Sequence, residues 1–72
     1  MRERLLDVRG LEPPEPLERV LAEMETLGAD ERICMVHRRE PCLLYPILQR
    51  EGFAHETLVT DEGDYRIMIW RK

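Results

Sequence analysis

The chain has no surplus of positive charge. Its 15 acidic residues outnumber its 11 basic ones, giving a formal net charge of −4 at pH 7, and the two signs are interspersed from end to end. General nucleic-acid binding needs a basic stripe to neutralise phosphates, so that class of partner is disfavoured. Cysteine is scarce as well. Cys34 and Cys42 are the only two, too few for a disulfide framework, and a reducing compartment keeps both as thiols. Long apolar runs are missing. The stretch Cys42 to Leu48, interrupted by Pro46, falls far short of the roughly 20 residues that a membrane span requires. Met1 is followed at once by Arg2, Glu3 and Arg4 rather than by the apolar core of a signal peptide. The expectation is a cytoplasmic protein without membrane or nucleic-acid partners. No segment repeats, and none is of low complexity.

Chemical motifs are equally sparse. There is no glycine-rich phosphate loop, no Ser-His-Asp arrangement and no carboxylate pair at acid/base spacing, so hydrolase and kinase readings lack a motif. Cys34, His37, Cys42 and His55 lack the paired short spacings of a zinc finger or ribbon, and neither a metal nor another cofactor is expected.

What is present suffices for one compact domain over residues 1–72, with 43% hydrophobic and 36% charged residues. Arg4 to Val8 is apolar and β-compatible and is soon interrupted by Gly10, which predicts a first strand. A proline-rich turn from Leu11 to Leu17 follows, and proline is tolerated in a first helical turn, so a helix should begin near Pro14. Leu17, Val20, Leu21, Met24 and Leu27 recur at helical spacing, with Gly28 as the expected stop. Glu31 to His37 predicts a second strand, parallel to the first through a right-handed crossover. Pro41 opens a short or irregular second helix, with Pro46 awkward inside it and Gly52 at its end. Phe53 to Asp61 and Asp64 to Arg71 flank Glu62-Gly63 as a hairpin. The expected fold is α+β: a two-layer sandwich of order βαβαββ, with a four-stranded mixed sheet and both helices on one face. Met68 and Trp70 alternate with Ile67 and Ile69 in the last strand. They are candidates for a contact surface on the bare face, although shielding of the sheet is the more frequent role of such residues.

The segment Leu6 to Leu17, with Asp7, Gly10, Leu11, Pro14, Pro16 and Leu17, resembles the signature of TusA and SirA-like proteins, in which a strand leads into a Gly-Leu-x-Cys-Pro-x-Pro turn and the first helix. The resemblance covers essentially the whole chain and implies the same βαβαββ order. In that family the cysteine before the first proline carries a persulfide in sulfur relay. Here that position is Pro13, which holds no sulfur, so the family's activity does not carry over through it. The double proline, with His37-Arg38-Arg39-Glu40-Pro41 and Leu44-Tyr45-Pro46, resembles an uncharacterised branch that lacks this cysteine, a domain of unknown function. The resemblance places that branch near, or fused to, hemerythrin-like and respiratory redox proteins.

Ligands of α/β sheets tend to bind beyond the carboxyl ends of the strands. Asp7 and Arg9, the turn at Pro13, Pro14 and Glu15, and the loop from His37, Arg38 and Arg39 through Cys42 to Tyr45 should adjoin there. Arginines and an exposed helix N-terminus would suit a small anion or a partner's carboxylate. Against this stands a surface salt-bridge network among Asp7, Arg9, Arg38 and Glu40, the commoner fate of any one such arginine. The expected function is a non-enzymatic accessory module that binds a protein partner or a small anionic ligand. Cys42, just after Pro41 at the start of the second helix, is the one plausible substitute for a sulfur or redox carrier. A free cysteine is more often a packed apolar residue. A third reading uses His37 with Cys42 or His55 as a metal or haem accessory site.

Overall fold

The computed structural model describes all 72 residues. The elements are β1 (Arg2–Asp7), α1 (Glu15–Glu25), β2 (Glu31–His37), α2 (Leu44–Arg50), β3 (Phe53–Val59) and β4 (Tyr65–Arg71). The expected βαβαββ order is therefore the observed one. The four strands form one mixed sheet in the order β1-β2-β4-β3. β1 and β2 are parallel, and β4 runs antiparallel to both β2 and β3.

Alternation along the strands decides which side faces the helices. Val8, Ile33, Met35, Phe53, Ile67 and Ile69 meet Val20, Met24 and Leu27, and Leu44 and Leu48 of α2, in one buried cluster. Both helices thus cover the same face. β2 is central and carries the continuous apolar run Ile33 to Val36, buried throughout. Its two faces are buried differently. Cys34 pairs with Leu5 on one side and Met68 on the other, on the face away from the helices. It is buried there beneath its neighbours rather than inside the core cluster. Met68 and Trp70 share this bare face and are half-buried, as shielding side chains are.

Several boundaries differ from the expectation, and β1 runs Arg2–Asp7 rather than Arg4 to Val8. α1 ends at Glu25 with Thr26 as its cap, short of Gly28. Gly28 does not adopt positive φ and so is no left-handed terminator; its N–H instead donates to Glu31 Oε1 at 2.8 Å. Side chains of the first and last strands add donors to carbonyls at and just beyond the end of α1, Arg4 to that of Thr26 at 2.9 Å among them. Arg71 donates from Nε to the Leu27 carbonyl at 2.7 Å and from Nη2 to that of Met24 at 3.2 Å, with its guanidinium over the Phe53 ring. α2 begins at Leu44 rather than at Pro41, because Pro41 to Leu44 is spent on a turn closed by the Leu44 N–H on the Pro41 carbonyl at 2.9 Å. The hairpin strands are shorter than expected. The Thr60 N–H donates to the Asp64 carbonyl and that of Gly63 to the Thr60 carbonyl, with Gly63 at φ +87°.

Candidate functional site

Because β1 and β2 are parallel, their carboxyl ends emerge side by side. The Val8 N–H extends the ladder to the Val36 carbonyl at 3.0 Å. From there one chain enters the proline turn toward α1 and the other enters the loop toward α2. The two loops diverge and leave a cleft of about 370 Å³, within the size range of ligand pockets. Pro13, Pro14, Pro16 and Leu17 form the α1 wall. His37, Arg39, Glu40, Pro41, Cys42 and Leu43 form the opposite wall. Met35 and Leu44 line the cleft while being fully buried, so they are its floor and part of the core at once. Leu43, at the lip, is 81% exposed.

The polar groups of this wall are few and oriented. His37 is half-buried, and its Nδ1 accepts a long hydrogen bond from the Arg39 N–H at 3.4 Å. Burial, with the Arg39 charge second, pushes its pKa below the ordinary 6.5. Both effects favour the neutral imidazole over the charged one. Glu40 accepts from the Tyr45 hydroxyl at 3.0 Å. Arg39 holds no carboxylate within 4.0 Å, a condition shared among the arginines by Arg38, Arg66 and Arg71; Arg71 is engaged by backbone carbonyls instead. Cys42 is exposed and lies two residues before α2, its N–H donated to the Glu40 carbonyl at 2.9 Å. It is not a first-turn thiol of a helix, contrary to the expectation, because the Pro41 turn intervenes.

The structure divides the expected site residues. Pro13, Pro14, His37, Arg39 and Cys42 converge on the cleft. Asp7 and Arg9 do not line it; they form a separate ion cluster. Arg9 donates through Nε and Nη2 to Asp7 at 2.9 and 2.8 Å, and through Nη1 to Asp64 at 3.0 Å. These bonds from the Arg9 side chain, with its backbone N–H second, hold the Asp7 carboxyl at about 2. Arg38 adds its field to that cluster and does not line the cleft. Glu15 pairs loosely with Arg19 at 3.8 Å. Tyr45 faces β3, bonding Thr57 Oγ1 at 2.7 Å and stacking on His55 with ring centroids 4.5 Å apart.

Two expectations about ligands change accordingly. The α1 N-terminus is poorly suited to anions. Pro16 has no N–H, the Glu15 N–H is given to the Glu12 carbonyl and the Glu18 N–H to the Pro14 carbonyl, which leaves the Leu17 N–H alone, and Glu15 and Glu18 add negative charge. Of the two partners expected for His37, Cys42 shares its cleft, whereas His55 sits on the Tyr45 side of α2; no three metal-ligating side chains come together. Met35 and Leu17 are cleft residues that sequence reasoning assigned to the core alone, since periodicity marks an apolar face without marking its open end. Asp64, the long-range partner of Arg9, had no sequence signal either.

No curated protein and no solved structure matches the chain. A protein-family model does match, from residue 5 to residue 71, and its description is an uncharacterized conserved protein. With nearly its whole length inside that match, the chain belongs to the DUF2249 family.

Proposed function

We propose that the protein is a non-enzymatic docking module whose cleft between the Pro13 turn and the Pro41 turn receives an apolar group of a protein partner. The observation that carries this reading is the pairing of a fully buried apolar floor, Met35 and Leu44, with a leucine lip that is 81% exposed at Leu43. A small molecule seated inside the cleft would leave the outer side of Leu43 in water. A partner's surface would cover it, and burying such a side chain is worth about 1.5–3 kcal/mol. The prolines favour the same role, since a wall of fixed φ loses little entropy when it is covered.

A photo-crosslinking amino acid placed at Leu43 tests this in cells that naturally make the protein. A discrete crosslinked protein, absent when the same group is placed at Glu62 in the hairpin turn, is the expected result. Identical crosslinking from both positions would overturn the reading.

A second reading is a sulfur carrier, in keeping with the resemblance to TusA-like proteins and the sulfur or respiratory redox setting it implies. One observation favours it: Cys42, an exposed thiol, lines the same cleft as Pro13, the position where the resemblance places the carrier cysteine. In this reading the Cys42 thiolate attacks the terminal sulfur of a donor persulfide, and the donor thiolate leaves. Intact-mass measurement after incubation with a cysteine desulfurase and cysteine decides the matter. A sulfur-sized gain that is lost in Cys42→Ser supports it, and no gain in the natural chain excludes it.

A further inference from the structure

We infer that the segment received by the cleft is acidic: an extended stretch of a protein partner that inserts an apolar side chain between the prolines and sets a neighbouring carboxylate on Arg39. This rests on the docking reading above and adds the chemistry of the partner.

The argument begins with charge. In a chain of net charge −4, carboxylates are abundant, and of the arginines only Arg38, Arg39 and Arg66 have found neither a carboxylate nor a backbone carbonyl; of those, only Arg39 lines the cleft. Arg39 has neither, although it lies on a cleft wall beside an acid, Glu40. Glu40 is directed to the Tyr45 hydroxyl instead, and that hydroxyl is fixed in turn by Thr57. The guanidinium is therefore left with all its donors free at an apolar cleft, the setting in which a forked, charge-assisted bond to a carboxylate is strong.

Of the other anion receptors near the cleft, Arg38 does not line it and α1 keeps only the Leu17 N–H. The first turn of α1 has lost or used its donors at Glu15, Pro16 and Glu18, and Arg9 is committed to Asp7 and Asp64. Arg39 is thus the one unpaired cationic side chain that an incoming carboxylate meets in the cleft. His37 lies on the same wall, with Nδ1 accepting from the Arg39 N–H. The apolar remainder of the cleft, from Pro13 to Leu17 and down to Met35 and Leu44, requires an aliphatic or aromatic residue next to that carboxylate. The exposed lip at Leu43 requires chain on both sides of it, which a small carboxylic acid lacks.

A random peptide-display library is the probe, selected in parallel on the immobilised natural chain and on its Arg39→Glu and Leu43→Asp variants. Both substitutions are at exposed positions, and unchanged circular dichroism confirms that each variant is folded. The natural chain is expected to enrich peptides that place Asp or Glu next to a large apolar residue, and Arg39→Glu to enrich Lys or Arg at the same place. An enriched acidic peptide should bind Arg39→Gln on the order of three- to tenfold more weakly than the natural chain, with a smaller difference at high salt. Apolar peptides enriched without an acidic bias, and unchanged on Arg39→Glu, would overturn the acidic inference while leaving the docking reading intact. Enrichment that Leu43→Asp does not remove would overturn both, as would no enrichment at all.

Discussion

Leu43 and Leu44 are adjacent leucines on one wall of the cleft, and shortening each to alanine separates its two functions. Leu44 is fully buried in the core cluster. Leu44→Ala removes the apolar transfer energy of three carbons and leaves a cavity that the turn at Pro41 and the floor at Met35 only partly close. The cost is about 3 kcal/mol, a large share of the roughly 4–11 kcal/mol that a chain of this length commands. A urea slope of about 1 kcal/mol per molar turns that into a fall of about 3 M in the unfolding midpoint. The melting temperature should drop by roughly 12–24 °C. Leu43, by contrast, is 81% exposed, and Leu43→Ala should change stability by no more than about 0.5 kcal/mol. Partner binding should respond in the opposite order, with Leu43→Ala weakening it in a fully folded protein. Urea titrations followed by far-ultraviolet circular dichroism give both midpoints. Equal midpoints for the two variants, or a larger loss in Leu43→Ala, would refute the assignment of floor and lip.

Other outcomes follow from single groups. Cys42 is exposed and Cys34 is buried, with its thiol pushed up by that burial, so a thiol reagent should titrate one cysteine in the native protein and both in denaturant. The His37 imidazole should titrate below 6.5 by NMR, and Arg39→Gln should raise its midpoint only in part, because burial is the larger cause. Asp7 has a folded pKa of about 2 against an ordinary 3.8. Its contribution is therefore fully present above about pH 4 and is lost as pH falls toward 2, so Asp7→Asn should flatten the fall in urea midpoint over that window. Gly63→Ala meets no neighbouring atom, yet should cost about 1 kcal/mol because alanine resists the φ of +87° there. A midpoint equal to that of the natural chain would show that the turn rearranges.

The fold was legible in the sequence because its signals are local and agree with one another. Six elements and their order follow from periodicity and from Gly and Pro punctuation, and the parallel β1–β2 pair follows from crossover handedness. The errors lie where a side chain from elsewhere replaces a local signal. Gly28 reads as a helix stop, but α1 ends earlier, at the Thr26 cap, and Arg71 from the far end of the chain braces the segment between them. Asp7, Arg9 and Arg38 were grouped with the cleft because they follow the same strand ends. They separate from it because Arg9 is drawn to Asp64, which is 55 residues away in the chain. The cleft walls were half-legible. Prolines at 13, 14, 16 and 41 mark stiff turns, whereas no pattern in the sequence distinguishes Leu43 at the lip from Leu44 beneath it.

That last distinction has a consequence for how the module can vary. Met35 and Leu44 are shared between the core and the cleft floor, so any change there alters stability before it alters recognition. Arg39, Cys42 and Leu43 are exposed on the wall and lip and carry no part of the buried cluster. Recognition can therefore be retuned at these three positions at little cost to the fold, a reversal of charge at Arg39 included. The Arg39→Glu selection is for this reason both a test of the partner's chemistry and a test of whether the wall is separable from the core. An Arg39→Glu protein that folds normally and turns from acidic to basic peptides would establish both.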